Sequence, residues 1–317
     1  MNVRPFGVDD PAGWVALSNL VLDRQGTVDL FRSEDARRDP AQLMRRWVMC
    51  HGAQIVGTAA LYFWPFDPAG YLHASVLVHP ERRGRGLGRA LWKQVLTGVR
   101  DQHSARLATD VSDVDPVSLA WAERRGFHIH AIHAHRFASE LDLSTFDRAP
   151  HLEALARVEA QGVTFTDLGG AEDSTLERYL NFVADRLTET PDLAGHPRWP
   201  LLQVRDVLHL DSDPRPDWLI LAVGNEGEWL GTTAMIRFQH ASMAYNELTA
   251  THPQARGRGL ALPLKLHAIR RAQEAGLKVM RTNNHSLNAP MLAVNRRLGF
   301  QSKSGRYEMQ LMLTPEI

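Results

Sequence analysis

The stretch His79-Pro80-Glu81-Arg82-Arg83-Gly84-Arg85-Gly86-Leu87 returns as His252-Pro253-Gln254-Ala255-Arg256-Gly257-Arg258-Gly259-Leu260, displaced by 173 positions (256 − 83). The register persists downstream without a gap: Leu119-Ala120 falls on Leu292-Ala293, and Arg124-Arg125-Gly126-Phe127 on Arg297-Leu298-Gly299-Phe300. Two landmarks in constant register mark an internal duplication, so duplicated positions should share a structural job. In both copies the glycines follow a strand pattern and precede a helical one. Leu72 to Val78 alternates as a half-buried strand, and Leu87, Leu91, Val95 and Val99 recur at helical spacing. In the second copy, Ala244 to Thr251 leads through the glycines into a helix from Leu260 to Ala275.

Around this core the remaining elements fall into place. Val3-Arg4-Pro5-Phe6 reads as a strand, and Asp9-Asp10-Pro11-Ala12 as an acidic, proline-containing helix start. Trp47-Val48-Met49 and Ile55-Val56-Gly57-Thr58-Ala59 read as hairpin strands about His51-Gly52. Leu107-Ala108-Thr109 gives a short strand, Pro116 to Arg125 a helix, Gly126 its stop and Phe127 the next strand start. The second-copy counterparts are Trp218 to Val223, Trp229 to Phe238, Val279 to Thr282, and a helix around Met291 to Leu298. A polar seam from Ser144 to Pro150 divides the chain into domains 1–146 and 147–317, while Asp211 to Asp217 reads as a loop inside the second. A length of 317 residues lets each domain bury its own core.

Why glycine twice? A helix start leaves backbone N–H groups unpaired and carries about half a positive charge, so an anionic phosphate is a natural partner there. Without a Cβ, Gly84, Gly86, Gly257 and Gly259 permit converging amides and a close backbone approach, and the arginines add charge. A tight strand-to-helix turn with no ligand is the bland alternative, which repetition weakens. Neither copy has the Gly-Lys-Ser/Thr ending of a triphosphatase loop or the Gly-x-Gly-x-x-Gly spacing of a dinucleotide site.

These residues resemble the GNAT superfamily of acyl-CoA-dependent N-acyltransferases, whose signature is Gln/Arg-x-x-Gly-x-Gly/Ala between a strand and a helix. Arg83-Gly84-Arg85-Gly86-Leu87-Gly88 and Gln254-Ala255-Arg256-Gly257-Arg258-Gly259 match it, and Gly126-Phe127 and Gly299-Phe300 are similar to the family's second landmark. The double unit resembles tandem GNAT proteins, of which mycothiol synthase is one example. The resemblance implies two α/β domains, each a mixed, mostly antiparallel sheet flanked by helices. It implies acetyl-CoA as co-substrate, with the pyrophosphate on the turn: Arg83, Gly84, Arg85, Gly86, Leu87 and Gly88, then Arg256, Gly257, Arg258, Gly259, Leu260 and Ala261. Backbone groups of Leu77, Val78, Ala250 and Thr251 would pair with pantetheine as an added strand does. Asn288 would also approach pantetheine, although Asn before Ala289-Pro290 reads equally as a helix N-cap. The first copy has Asp115-Pro116 near there, a cap without the amide's donor.

Acylation needs a neutral amine, yet a lysine-type amine has a pKa of about 10, so a general base is required. On the strand before the second glycine turn, Glu247, Thr249 and Thr251 should alternate onto one face, and Glu247 is the candidate base. A solvent-facing or edge-guarding strand glutamate is the alternative reading. The aligned first-copy residue is Ala74, flanked by His73 and Ser75, so chemistry is expected mainly in the second domain. The tyrosine that the family often uses as an acid is replaced by Ala122 and Asn295, and no acid is assigned, with Tyr245 and Tyr307 as alternatives to water.

Lys plus Arg equals Asp plus Glu at 36 each, which gives no net field toward nucleic acid or an anionic membrane. Arg82-Arg83-Gly84-Arg85 is too short for an RNA-binding Arg-Gly patch. Cys50 stands alone in an apolar strand and reads as an inert core thiol. His128, His130, His133 and His135 fall on opposite strand faces, so no metal is expected. With no signal peptide or membrane-length apolar run, a cytoplasmic protein is expected, a monomer or a homodimer. The expected reaction is acetyl-CoA-dependent N-acetylation of a small amine, and the opposing reading is an acyl-CoA-binding sensor without turnover.

Overall fold

A computed structural model describes residues 2–22, 26–102, 104–129, 135–193, 196–237 and 242–313. They divide into two compact units, one of residues 1–134 with 306–317 and one of residues 135–305. Each is a mixed, mostly antiparallel sheet flanked by helices.

The first unit runs β1 (Val3–Pro5), α1 (Pro11–Leu22), α2 (Val28–Arg37), β2 (Met44–His51), β3 (Gln54–Tyr62), β4 (Leu72–Val78), α3 (Leu87–Asp101), β5 (Arg106–Ser112), α4 (Pro116–Glu123) and β6 (His128–Ile129). The β2–β3 hairpin turns at Gly52, as its position in the sequence predicts. Leu87, Leu91, Val95 and Val99 of α3 are all buried against Val56, Leu61 and Leu107, because four-residue spacing keeps them on one helix face. Each such burial stabilises by about 1.5–3 kcal/mol. The opposite face of the sheet is covered by α1, whose Leu17 packs with Val48 and Ile55.

The second unit runs β7 (His135–Asp142), α5 (Leu152–Glu159), β8 (Thr164–Asp167), α6 (Asp173–Leu187), α7 (Leu201–Val207), β9 (Leu219–Val223), β10 (Trp229–Arg237), β11 (Met243–Thr251), α8 (Ala261–Glu274), β12 (Val279–His285) and α9 (Ala289–Arg297). Helix α8 lies on the core with Leu260, Leu264, Ala268 and Ala272 buried. The predicted strand end at Phe238 lies outside the described residues.

The last strand, β13 (Gln301–Met312), carries Arg306–Met312 into the first unit, antiparallel to β5 with Met309 opposite Thr109. Conversely β7 lies antiparallel to β12 in the second unit, with Ser139 opposite Thr282. Each unit thus takes into its sheet a strand from the other sequence half. Apolar side chains account for the exchange: Met309 and Leu311 enter the first core, Leu141 and Leu143 the second. The seam at 146/147 is a boundary of the sequence repeat, and the compact units divide the chain elsewhere.

Candidate active site

In each unit two parallel strands begin together and then part. Between β4 and β5 the pairing covers Leu72 with Leu107 and His73 with Ala108, and between β11 and β12 it runs from Met243 with Val279 to Tyr245 with Arg281. Leu77, Val78, Ala250 and Thr251 lie beyond these pairs and have a partner strand on one side only, β3 or β10, while Val78 O accepts from Arg83 Nε at 3.4 Å. Their other edge is the kind that an extended ligand can join by main-chain hydrogen bonds.

The fork leads directly to the glycine turn. Gly84, Gly86, Gly257 and Gly259 have φ of +76°, +83°, +78° and +81°, a left-handed conformation that costs other residues about 1–2 kcal/mol. A Cβ on any of the four would meet no atom within 4 Å, so packing does not require these glycines. Buried Leu87 and Leu260 pin the start of the helix, and the first helical donors of α3 are the amides of Arg89 and Ala90, both 3.1 Å from Gly86 O. The amides before them point out of the helix end, a shape and charge that suit a pyrophosphate. Gly88 packs against Trp121, while Ala261 opens α8. Arg83 reaches Asp115 at 3.3 Å, Arg256 is paired with Glu189, and Arg258 Nε lies 3.4 Å from Gln161 Oε1. Arg85 is exposed.

The two forks differ by one residue. Gly57 stands opposite Val78 and Gly231 opposite Thr251, and four residues further on, Leu61 stands opposite Ala74 but Met235 opposite Asn246. β4 spends four residues on this interval and β11 spends five. The register shift lies between Ala234 and Met235, and Glu247 is the extra residue of a β-bulge. Two expectations are corrected. Glu247 has no counterpart in the first unit, since Ala74 matches Asn246. Nor does plain alternation hold, because Gly231, Thr233 and Met235 share a face and set Thr251, Thr249 and Asn246 on it, leaving half-buried Glu247 out of step.

Fork, left-handed glycine turn and helix recur in both units, and the model of the Acetyltransferase (GNAT) family matches residues 14–127 and 182–300. The chain belongs to the GNAT acetyltransferase family. A tandem GNAT protein from the clavulanic acid biosynthesis pathway superposes with a TM-score of 0.75 at 22% identity, covering 100% of this chain and 99% of that one. A GCN5-related N-acetyltransferase from Sphaerobacter thermophilus gives 0.75 at 16% identity over 99% and 96%. A GCN5-related glucosamine N-acetyltransferase region of a fungal multi-domain GH3 β-N-acetylglucosaminidase gives 0.72 at 16% over 97% and 37%. At these identities the likeness is one of fold. No curated protein is similar enough in sequence to match the chain.

Within the second GNAT unit a polar cluster, not anticipated from the sequence, underlies the bulge. Asn246 is buried and its Nδ2 donates to Thr233 Oγ1 at 2.9 Å, to Ala234 O at 3.0 Å and to Leu248 O at 3.2 Å. Its Oδ1 accepts from Lys265 Nζ at 2.6 Å and Thr249 Oγ1 at 3.0 Å, while its main-chain oxygen accepts from Thr282 Oγ1 at 3.0 Å. The one sequence signal was a lysine on an apolar helix stripe, Leu262-Pro263-Leu264-Lys265-Leu266. Asn288 caps α9, its Oδ1 3.3 Å from Met291 N. Asn295, at the position of the family's tyrosine, donates to Asn284 Oδ1 at 2.6 Å, and its own Oδ1 is buried without a partner. Of the two alternative tyrosines, Tyr245 lies at the end of the β11–β12 pairing, whereas Tyr307 belongs to the first unit, opposite Val111.

In the first GNAT unit the end of the paired stretch is held by His73, buried and 3.0 Å from Asp67 through Nδ1, with Tyr62 at 4.9 Å. Burial lowers the affinity of His73 for a proton, but Asp67 and the more distant Asp110 outweigh burial and Arg306, so its pKa is raised above 6.5. A raised histidine pKa adds stability that is complete below the unfolded value and lost as pH rises through the folded one. The gap in melting temperature between wild type and His73→Gln should therefore shrink as pH is raised from 5.5 to 9. A gap constant with pH would refute the charged pair. His130 and His133 lie outside the described residues, and among those described no three His, Cys, Asp or Glu groups could hold a metal. No described helix is long and apolar enough to cross a membrane.

Proposed function

We propose that the protein, built from sequence repeats 1–146 and 147–317, transfers an acetyl group from acetyl-CoA to a small amine, with the chemistry mainly in its second unit. The observation that carries this reading is the single inserted carboxylate, Glu247, bulged beside the β11–β12 fork and absent from the first unit. The turn from Arg256 to Ala261 would take the pyrophosphate, where open space beside Gly257 and Gly259 fits it, and Ala250 and Thr251 would pair with pantetheine. Arg83 to Gly88, with Leu77 and Val78, offer the same cradle in the first unit, where β4, the strand before the turn, carries no carboxylate. That unit accordingly holds coenzyme without turnover.

The amine nitrogen attacks the thioester carbonyl and loses its proton to Glu247, directly or through a water. The C–N bond forms first to give a tetrahedral oxyanion, which collapses with cleavage of the C–S bond, and coenzyme A leaves as a thiolate that water protonates. A main-chain amide on β11 would stabilise the oxyanion. No covalent enzyme intermediate is needed, and half-buried Cys50 lies outside this scheme.

Calorimetric titration with acetyl-CoA, followed by thiol release in the presence of an amine panel, tests the reading. Binding with amine-dependent release supports it. Binding without release over the whole panel would favour a sensor, and no binding would overturn the acyltransferase assignment. Asn288→Asp separates cap from ligand contact. The variant should melt within about 0.5 kcal/mol of wild type, since Asp caps as well as Asn. It should bind acetyl-CoA roughly tenfold more weakly for want of the amide donor. Unchanged affinity would leave Asn288 a cap alone.

A further inference from the structure

Lys265 is 1% exposed on the buried stripe of α8. Among the described residues no acidic side chain pairs with it: its ammonium donates to Asn246 Oδ1 and lies 5.2 Å from the Phe300 ring centroid. Burying an ammonium without a counter-charge opposes folding, and here it pushes the lysine down to about 7 from 10.5.

The sequence repeat supplies an internal control. The position matching Lys265 is Trp92 (265 − 173), which packs with Trp121, Phe127 and the apolar core of the first unit. Its neighbours change with it. Asn246 corresponds to Ala74, and the facing pair Thr233–Thr249 to Ala59–Val76, all apolar. The fold therefore has no need of polar groups at this level of the sheet. Only the second unit contains them, and it is also the unit with the bulge.

The hydrogen bonds connect the two features. Asn246 reaches Ala234 O and Leu248 O, so it ties together both sides of the register shift that expels Glu247. An amide can do this only while its oxygen is held the other way, and that oxygen accepts from Lys265 Nζ at 2.6 Å and, at the longer distance of 3.0 Å, from Thr249 Oγ1. We propose that Lys265 is a positioning residue: acting through Asn246, it holds the bulge in the form that presents Glu247 to the fork. This inference rests on the reading of Glu247 as the base.

The test compares Lys265→Met, Lys265→Gln and Glu247→Gln in the full chain. A lysine kept only for structure would lower the melting temperature when lost. A positioning lysine predicts that Lys265→Met melts no lower than wild type at pH 7, since a desolvated ammonium is removed. Its acetyl-CoA affinity should stay within about threefold of wild type, while kcat falls about 100-fold, as when a reacting group is displaced by about 1 Å. Amide exchange in the peptide from Met243 to Thr251, which needs no acceptor, should quicken around the bulge. Lys265→Gln, which retains a donor to Asn246, should keep more of the rate than Lys265→Met. The double variant with Glu247→Gln should be no slower than Glu247→Gln alone, because both changes act on one group. Unchanged exchange and kcat in folded Lys265→Met, or losses that multiply in the double variant, would overturn the proposal. Should Lys265→Met not fold, the same two readouts on Lys265→Gln decide: wild-type values in both overturn the proposal. A Glu247→Gln enzyme as fast as wild type is a separate failure, that of the base itself.

Discussion

Glu247→Gln should lower kcat by roughly 10²–10⁴-fold while leaving acetyl-CoA affinity near that of wild type. The substitution keeps size and shape, and the bulge is held by Asn246 and the β10 hydrogen bonds, so the geometry of the fork should survive. What is lost is the capacity to accept a proton. The defect should therefore narrow as pH approaches the amine's own value of about 10, where free base no longer has to be generated on the enzyme. A rate within threefold of wild type at pH 7 would remove Glu247 from the chemistry. A uniform loss at every pH would assign it to shape instead of proton transfer.

Gly257→Glu should abolish acetyl-CoA binding at the second turn, with a loss of at least about 100-fold, or about 2.7 kcal/mol. Two costs combine. At φ +78° any side chain strains the backbone, and a carboxylate placed where a pyrophosphate belongs repels it. The free protein is affected far less: a Cβ at this position meets nothing within 4 Å, so the penalty to folding is the strain alone, about 1–2 kcal/mol. Binding and folding are thereby separable in one variant. In calorimetry, a site lost in Gly257→Glu but retained in Gly84→Glu would belong to the second turn. Undiminished affinity at that turn would sink the cradle.

Much of this architecture was legible from the residues because it is local. The alternation of Leu72 to Val78, the four-residue spacing after Leu87 and the glycines between them correspond to β4, the turn and α3. Asn288 before Pro290 is the α9 cap that its residue type suggests. What stayed hidden depends on partners distant in sequence. The bulge shows only in the pairing of β11 with β10, where the constant 173-residue offset conceals the one-residue insertion at Glu247. Lys265 looked like an interruption of an apolar stripe until Asn246 was placed beneath it. Helix α6 does carry an amphipathic signal, in Tyr179, Leu180, Val183, Ala184 and Leu187, but the first copy offered no matching landmark for it. The fates of β7 and β13 could not be read from periodicity, which says that a strand forms and not which neighbour it joins.

That exchange bears on how the polypeptide is made. β5 acquires its antiparallel neighbour Arg306–Met312 only about 200 residues after β5 itself leaves the ribosome, since the chain emerges N-terminus first. Until then Arg106–Ser112 presents a bare hydrogen-bonding edge beside an incomplete core lacking Met309 and Leu311, a form open to pairing with the wrong strand. The second unit has no such delay, because β7 is already waiting when β12 emerges. A polypeptide cut at the repeat seam would keep every glycine-turn residue of the first copy and still lack the strand that completes its sheet.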